Sequence, residues 1–192
     1  MVKTLTKTFF IRFNCMGVPT YVFKVCIAGE GGCGKTTLLH RWVEGVFLPD
    51  TKMTIGSSFM VKTVQYGDIT MNLQIWDLGG EVRFRTFLPA FVKGARLTLL
   101  VFDITRYATF TRLPEWIRLI REEGGCENII LVGTKIDLIE RRQVSAEEAF
   151  NFAQEQGLLG YAEVSSKTGQ NVDELFNRVV EFLAESVMGE SG

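Results

Sequence analysis

A glycine-rich stretch near the start of the chain constrains the fold more than any other feature. Residues 29–37 read GEGGCGKTT and contain the pattern G-x-x-x-x-G-K-T. They lie between an apolar run at Tyr21–Ala28 and an amphipathic run from about Thr36 to Gly45. A strand, a glycine loop and a helix in this order predict a loop whose backbone N–H groups surround phosphate oxygens at the start of the helix. In such a loop Lys35 reaches the outer phosphates and Thr36 offers a hydroxyl to Mg²⁺.

The rest of the chain alternates short apolar runs with amphipathic stretches, which is typical of a mostly parallel sheet flanked by helices. About six strands and five helices are predicted. The strands are 21–28, 58–65, 69–77, 97–103, 129–133 and 162–165, and the clearest helices are 36–45, 113–123, 146–156 and 172–187. The turn Tyr66-Gly67-Asp68 predicts a hairpin between the second and third strands. Because ligands bind beyond the carboxyl ends of strands in such sheets, the site is expected there.

Composition narrows the class of protein. A chain of 192 residues suits one domain. With 46% hydrophobic residues, 22% charged residues and a net charge of -1, it is not expected to bind nucleic acid non-specifically. The four cysteines have no paired spacing, which predicts reduced thiols in a cytoplasmic protein. No apolar run reaches the roughly 20 residues that span a bilayer, so no integral membrane segment is expected.

The opening segment, residues 1–20, leaves several interpretations open. It mixes basic residues with the apolar run FFIRF at positions 9–13. It could be a patch that contacts a membrane surface, an extra edge strand or a loose tail. It could also reflect an early start site, with Met16 as the true first residue.

A second motif identifies the base of the nucleotide. Thr134-Lys135-Ile136-Asp137 follows the apolar strand IILVG. The Asp137 carboxylate can accept hydrogen bonds from both N1–H and the exocyclic amine of guanine, and adenine has no such pair of donors. The aliphatic stem of Lys135 can cover the face of the purine. The motif therefore favours GTP over ATP and argues against an ATP-dependent kinase with the same phosphate loop.

With both motifs in place, the sequence resembles the Ras superfamily of small GTPases, most closely the Rab branch, over about residues 21–187. Its motifs fall in the family order: GEGGCGKT, MTIGSSF, WDLGGE, TKID and SSKTGQNVDELF. The resemblance implies an α/β fold, the P-loop NTPase G domain, over residues 21–188, with an N-terminal extension at 1–20 and a short tail at 189–192. It implies a GTP-hydrolysing switch, cytoplasmic or peripheral at a membrane, with effector, exchange-factor and activating proteins as partners. Effectors would bind through residues 50–60 and 80–92.

The resemblance also implies roles for individual residues. Mg²⁺ would be held by Thr36 and Thr54 directly and by Asp77 through water, and catalysis would involve Lys35, Gly80 and Glu81. Thr54 and the Gly80 backbone would sense the γ-phosphate. The implied nucleotide contacts are Gly29, Gly31, Gly32, Cys33, Gly34, Lys35, Thr36, Thr37, Phe47, Thr54, Gly80, Thr134, Lys135, Asp137, Ser165, Ser166 and Lys167.

Several positions depart from the family pattern. Thr134 replaces the usual asparagine. It keeps a hydroxyl but loses the amide that ties the base motif to the phosphate loop, which is expected to cost affinity and to leave the choice of guanine unchanged. Thr51 replaces a tyrosine that closes over the nucleotide. The sequence ends SVMGESG without a cysteine, so C-terminal prenylation is not expected. Cys33 allows two interpretations, a redox-sensitive thiol or a small side chain that fills space under the loop.

Glu81 is the departure that bears most on chemistry. The family usually has a glutamine here, which accepts a hydrogen bond from the attacking water and donates one to a phosphate oxygen. A glutamate keeps the acceptor and loses the donor, and its charge is repelled by the triphosphate. Altered hydrolysis is therefore predicted, and the alternative is a GTP-bound scaffold with negligible turnover. A solvated switch residue with no part in catalysis is the other interpretation of Glu81. No arginine in the sequence is identified as a catalytic finger, since Arg83 and Arg85 are expected to face partners or solvent.

Overall fold

A mostly parallel sheet with two antiparallel strand pairs forms the centre of the molecule. The computed structural model describes residues 12–13, 19–49, 54–81 and 86–188. Within those ranges a seven-stranded sheet has the order β3-β4-β2-β5-β6-β7, with β1 beside β2. The strands are β1 (Arg12–Phe13), β2 (Pro19–Ala28), β3 (Ser57–Tyr66), β4 (Ile69–Leu78), β5 (Leu97–Asp103), β6 (Ile129–Thr134) and β7 (Gly160–Val164). The β3–β4 and β1–β2 pairs are antiparallel, and the other pairs are parallel.

Helices cover both faces of this sheet. They are α1 (Lys35–Glu44), α2 (Leu88–Val92), α3 (Tyr107–Phe110), α4 (Leu113–Arg118), α5 (Ala146–Glu155) and α6 (Val172–Met188). A π-helical turn at Leu119–Glu123 extends α4, and a 3₁₀ turn at Ile136–Arg141 follows β6. None of the helices in the described ranges is long and apolar enough to span a membrane.

The central strand β5 explains how the two faces are packed. All of its residues, LTLLVFD, are buried. Successive side chains of a strand point to opposite faces, so Leu99 and Val101 join a core with α1 and α6, while Leu100 and Phe102 join a core with α4 and α5. A strand covered on both faces reads as a continuous apolar run, as parallel strands usually do.

The predicted architecture is confirmed, and the differences have local causes. Six strands lie within a few residues of their predicted bounds, and the hairpin at Tyr66-Gly67-Asp68 is present. The helix predicted over 113–123 changes to π geometry at Leu119. Helices α2 and α3 are too short to show a helical period in the sequence. Arg12–Phe13 pair with the start of β2, as the edge-strand interpretation requires, and the rest of the FFIRF run lies outside the described residues.

Candidate nucleotide-binding site

The glycines of the phosphate loop allow backbone conformations that other residues rarely adopt. Gly29, Gly32 and Gly34 have φ angles of 136°, 73° and 88°. A Cβ at Gly29 would lie 2.1 Å from the Val101 carbonyl oxygen, so the loop can pass over β5 only without a side chain there. Gly34 is the N-cap of α1, which places the positive end of that helix at the loop.

Side chains hold the loop by its carbonyl groups. Each carbonyl from position 29 to position 33 accepts a hydrogen bond from a side chain. The donors are Lys35 to Gly29 (2.7 Å) and Glu30 (2.9 Å), Arg106 to Gly31 (3.2 Å), Lys135 to Gly32 (3.0 Å) and Thr134 to Cys33 (2.7 Å). A trans peptide unit is planar, with its C=O and N–H on opposite sides. A side chain that holds a carbonyl therefore also fixes the direction of the following N–H group, and N–H groups of such a loop are the ones that bind phosphate.

Thr134 keeps a hydroxyl where the family has an amide, and the structure shows what this hydroxyl contacts. The buried Thr134 hydroxyl lies 2.7 Å from the Cys33 carbonyl oxygen and 2.9 Å from that of Phe102. The tie is retained, but a hydroxyl has one proton for the two acceptors, whereas an amide would have two.

Lys135 joins the base motif to the end of β5. It has a left-handed backbone, with φ at 66°, and its ammonium group lies 2.7 Å from Asp103 Oδ2. Asp103 is buried, and its Oδ1 also accepts hydrogen bonds from the backbone and hydroxyl of Thr105. The Lys135 stem is thus held at the edge of the cleft, where it was predicted to cover the purine.

The three predicted metal ligands lie together. Thr36 Oγ1 is 2.8 Å from Thr54 Oγ1 and 2.5 Å from Asp77 Oδ2, and Thr54 Oγ1 is 3.2 Å from the same carboxylate oxygen. Burial raises the pKa of Asp77, although hydrogen bonds from both hydroxyls and the nearby Lys35 charge act in the opposite direction. Asp77 Oδ1 is buried without a hydrogen-bond partner in the described part of the chain. A hard oxygen set with one orphaned carboxylate oxygen fits Mg²⁺.

Gly80 and Glu81 follow β4 at the edge of the phosphate loop. A Cβ at Gly80 would lie 2.3 Å from the Gly31 nitrogen and 2.4 Å from the Glu30 carbonyl carbon. The Gly80 backbone therefore packs directly on the loop, at the position predicted to sense the γ-phosphate. Glu81 comes next and is half-buried. Arg83 and Arg85 lie outside the described residues, as does Thr51.

A cleft of ≈ 360 Å³ opens between the phosphate loop and the base motif. Predicted contact residues that line it are Gly32, Gly34, Thr37, Phe47, Thr134, Lys135, Asp137, Ser166 and Lys167. The buried Ser165 hydroxyl donates to Asp137 Oδ1 at 2.6 Å and accepts from the Thr168 N–H at 3.1 Å. Ser165 thereby fixes the orientation of the carboxylate that was predicted to select guanine.

The structure favours the packing role for Cys33. Its thiol is fully buried and lies 2.9 Å from the Glu30 carbonyl oxygen. Burial raises the pKa of the Cys33 thiol despite the positive charge of Lys35. A buried thiol with a raised pKa is a poor nucleophile.

Two contacts of the phosphate loop were not predicted. Arg106, just after β5, donates to Gly31, and the Trp116 indole N–H donates to the Glu30 carboxylate at 2.9 Å. Neither residue belongs to a recognisable motif. The position of Arg106 beyond the carboxyl end of a strand was the one available signal.

The fold and the cleft together define a small GTPase with a P-loop. The sequence profile described as "Ras family" matches residues 24–185. Ras-related protein Rab-30 of Homo sapiens is 41% identical over 157 residues, covering 81% of this chain and 77% of that protein. Ras-related protein Rab5A of Oryza sativa subsp. japonica is 37% identical over 163 residues, covering 84% and 80%. Ras-related protein Rab-5A of Dictyostelium discoideum is 37% identical over 167 residues, covering 86% and 83%.

The chain belongs to the Ras family. It is a Rab-like small GTPase, and guanine nucleotide is the ligand that this family binds.

Proposed function

We propose that this chain is a Mg²⁺-dependent molecular switch that binds GTP, hydrolyses it to GDP and phosphate, and presents different surfaces in the two states. The proposed G domain is residues 21–188, between the extension at 1–20 and the tail at 189–192. One observation carries the proposal. The phosphate loop, the Thr36–Thr54–Asp77 oxygen cluster and the Asp137–Ser165 pair all lie at the edge of the sheet where β2, β4, β6 and β7 end.

The metal site supports the switch mechanism. Mg²⁺ would be held by the hydroxyls of Thr36 and Thr54 and, through water, by Asp77, and when bound it neutralises phosphate charge. Thr36 lies on α1, whereas Thr54 precedes β3 in the first switch segment. Loss of the γ-phosphate would free Thr54 and Gly80 while Thr36 stays in place, so the switch segments could relax independently of the core.

Glu81 determines how fast the proposed cycle runs. The Lys35 ammonium and the loop amides supply electrostatic stabilisation that does not depend on position 81. The carboxylate can still accept a hydrogen bond from water but offers a proton to phosphate only when protonated. Slow intrinsic hydrolysis with an unusual pH dependence is the consequence.

The experiment is single-turnover hydrolysis of GTP by the protein loaded with Mg²⁺, from mildly acidic to mildly alkaline pH, compared with Glu81→Gln. A rate that follows one ionisation in the wild type but not in the variant identifies Glu81 as a participating carboxylate. Failure to bind guanine nucleotide at micromolar concentration would refute the whole proposal. ATP serves as the competitor that checks base selection.

A second function, a GTP-bound recruitment module with negligible turnover, is favoured by Glu81 and by a partly exposed aromatic patch. This patch consists of Phe59, Trp76 and Phe91. The Phe59 and Trp76 ring centroids are 5.3 Å apart, and those of Trp76 and Phe91 are 6.1 Å apart. Phe59 is 50% exposed. Restored turnover in Glu81→Gln, with none in the wild type, would support this function over the first.

The aromatic patch is also the proposed effector surface. It joins the two segments predicted to bind effectors, and exposed aromatic side chains often dominate binding energy at protein interfaces. Capture of partners by GTP-loaded protein, but not by GDP-loaded protein, is expected to be lost in Phe59→Asp. Val61→Asp is a matched control on the same strand and is 53% exposed in the native protein, but it is not part of the patch. Equal capture by both nucleotide states would contradict the effector proposal.

The proposed location is the cytoplasm, with peripheral attachment to membranes through the N-terminal segment as a further element. Sedimentation with liposomes, before and after truncation ahead of Met16, tests that attachment. Unchanged sedimentation would exclude it.

A further inference from the structure

Arg106 lies at the phosphate loop but has no assigned role. Its Nη1 atom donates to the Gly31 carbonyl oxygen at 3.2 Å, and a Cβ at Gly32 would lie 3.0 Å from the same nitrogen. The guanidinium therefore lies across the peptide unit that joins Gly31 to Gly32. None of the ion pairs among the described residues includes Arg106, whereas the neighbouring Lys135 is paired with Asp103.

Hydrogen bonds hold the backbone of Arg106 in place. Its N–H donates to the Asp103 carbonyl at 3.0 Å, and its carbonyl accepts from the Thr109 N–H at 2.9 Å and from the Thr109 hydroxyl at 2.8 Å. Asp103 and Thr109 are both buried. Arg106 thus follows the end of the central strand and does not belong to either of the proposed switch segments.

The peptide unit that Arg106 holds has little steric restraint of its own. Gly31 and Gly32 both lack a Cβ, and φ at Gly32 is 73°. Rotation of this peptide plane would exchange the directions of the Gly31 C=O and the Gly32 N–H, because the two groups lie on opposite sides of one plane. The neighbouring peptide units are anchored by Lys35, Lys135 and Thr134, and this unit is anchored by Arg106.

We propose that Arg106 is a positioning residue for GTP hydrolysis, which holds the Gly31 carbonyl outward so that the Gly32 N–H points at the phosphates. The inference rests on the proposed function, since it assigns the source of that orientation within the same site. Fixed donors stabilise developing charge better than donors that must reorient during the reaction. The guanidinium also adds positive charge next to Gly32, which lines the cleft, and this charge is expected to slow nucleotide release.

The test compares Arg106→Ala, Arg106→Lys and Arg106→Gln in single-turnover GTP hydrolysis and in GDP release. We expect Arg106→Ala to lower the hydrolysis rate about tenfold, as the loss of one charge-assisted hydrogen bond predicts, and to speed GDP release. Lysine keeps one charged donor and is expected to recover part of both effects. Glutamine keeps a neutral donor and is expected to recover less.

Arg112→Ala is the matched control. Arg112 is also exposed and lies near Arg106 in sequence, but its contact is with Glu115. The Arg112→Ala variant should hydrolyse GTP and release GDP at the wild-type rates.

A readout independent of turnover separates orientation from general stability. In protein labelled with ¹⁵N-glycine and loaded with GDP and Mg²⁺, the amide signal of Gly32 should shift in Arg106→Ala, while that of the distant Gly160 should not. The inference would be overturned if Arg106→Ala hydrolysed GTP and released GDP at the wild-type rates and kept the wild-type Gly32 signal. Binding of guanine nucleotide by the wild type is measured before any variant is compared. If the wild type bound none, the proposed function would be refuted, whatever the variants did.

Discussion

The Thr134 hydroxyl offers the sharpest test of how the base motif and the phosphate loop are coupled. Thr134→Val removes the hydroxyl with little change of shape, and both Thr134 and Cys33 are buried. The Cys33 carbonyl then loses its donor at 2.7 Å, and no water is expected to replace it in a buried position. An unsatisfied buried carbonyl costs about 1–3 kcal/mol. About 1.4 kcal/mol corresponds to a factor of ten, so roughly tenfold faster GDP release is expected.

The opposite change should have the opposite effect. Asparagine carries two N–H protons, so Thr134→Asn can serve the carbonyls of both Cys33 and Phe102 at once. The longer side chain has room, because Gly34 has no side chain and its Cβ position lies 4.0 Å from Thr134 Oγ1. One additional neutral hydrogen bond is worth about 1 kcal/mol, which predicts roughly fivefold slower release.

The assay is the release of a fluorescent GDP analogue, measured together with unfolding by denaturant. Thr98→Val is the matched control, because Thr98 is equally buried at the start of β5, and its hydroxyl donates to Cys126 Sγ at 3.4 Å. The control should leave release unchanged. If Thr134→Val lowered stability but released GDP at the wild-type rate, the hydroxyl would be a core group only and the coupling would be refuted.

Three further predictions concern groups that act separately. Gly80→Ala places a Cβ 2.3 Å from the backbone of the phosphate loop. GTP should therefore be released at least about tenfold faster relative to GDP. Gly160→Ala is the control, because its Cβ meets open space, and it should not change that ratio. Ser165→Ala removes the hydrogen bond to Asp137 and should weaken GTP binding about tenfold relative to ATP; unchanged selectivity would mean that the carboxylate needs no support. Burial raises the pKa of Glu163. Hydrogen bonds from Arg142 and Tyr161 outweigh this effect and hold the pKa below its ordinary value of 4.5. The native ion pair therefore contributes stability above that value and loses it as pH falls through the lowered pKa. Denaturant unfolding of Glu163→Gln should show the largest deficit near neutral pH and a smaller one in acid, and a deficit independent of pH would contradict the assignment.

Sequence reasoning succeeded where the signal is local. The pattern from Gly29 to Thr36 lies between an apolar run and an amphipathic run, which together predict a strand, a loop and a helix. The structure has β2, the loop and α1 in that order. The apolar runs also located six strands, because strands that are buried on one or both faces are rich in apolar residues. The family resemblance grouped Thr36, Thr54 and Asp77 as metal ligands although they are distant in sequence, and the structure has their side-chain oxygens in contact; the metal itself stays a prediction.

Sequence reasoning failed where a contact depends on distance in space. Arg106 and Gly31 are separated by 75 positions, and Trp116 and Glu30 by 86. No local pattern reveals such pairs, since they exist only after β5 and the phosphate loop are packed together. Thr134 illustrates a different limit. The sequence shows that a hydroxyl is kept and an amide is lost, but it does not show that the shorter hydroxyl reaches the Cys33 carbonyl oxygen.

Arg106 and Glu81 follow different strands of the sheet, and this leads to a last prediction. Arg106 extends from β5, whereas Glu81 follows Gly80 at the start of the second switch segment. If Arg106 acts only by orienting the Gly32 N–H, then Arg106→Ala and Glu81→Gln should change the hydrolysis rate independently. Effects at independent sites multiply to within a factor of about two.

A double-mutant cycle of single-turnover rates measures this independence. A double variant whose rate equals the product of the two separate effects supports indirect positioning through the loop. A strong deviation from that product would mean that the guanidinium interacts with the carboxylate or with the γ-phosphate itself. In that case Arg106 would be a catalytic residue supplied by the chain, and the partner proteins would not need to provide an arginine.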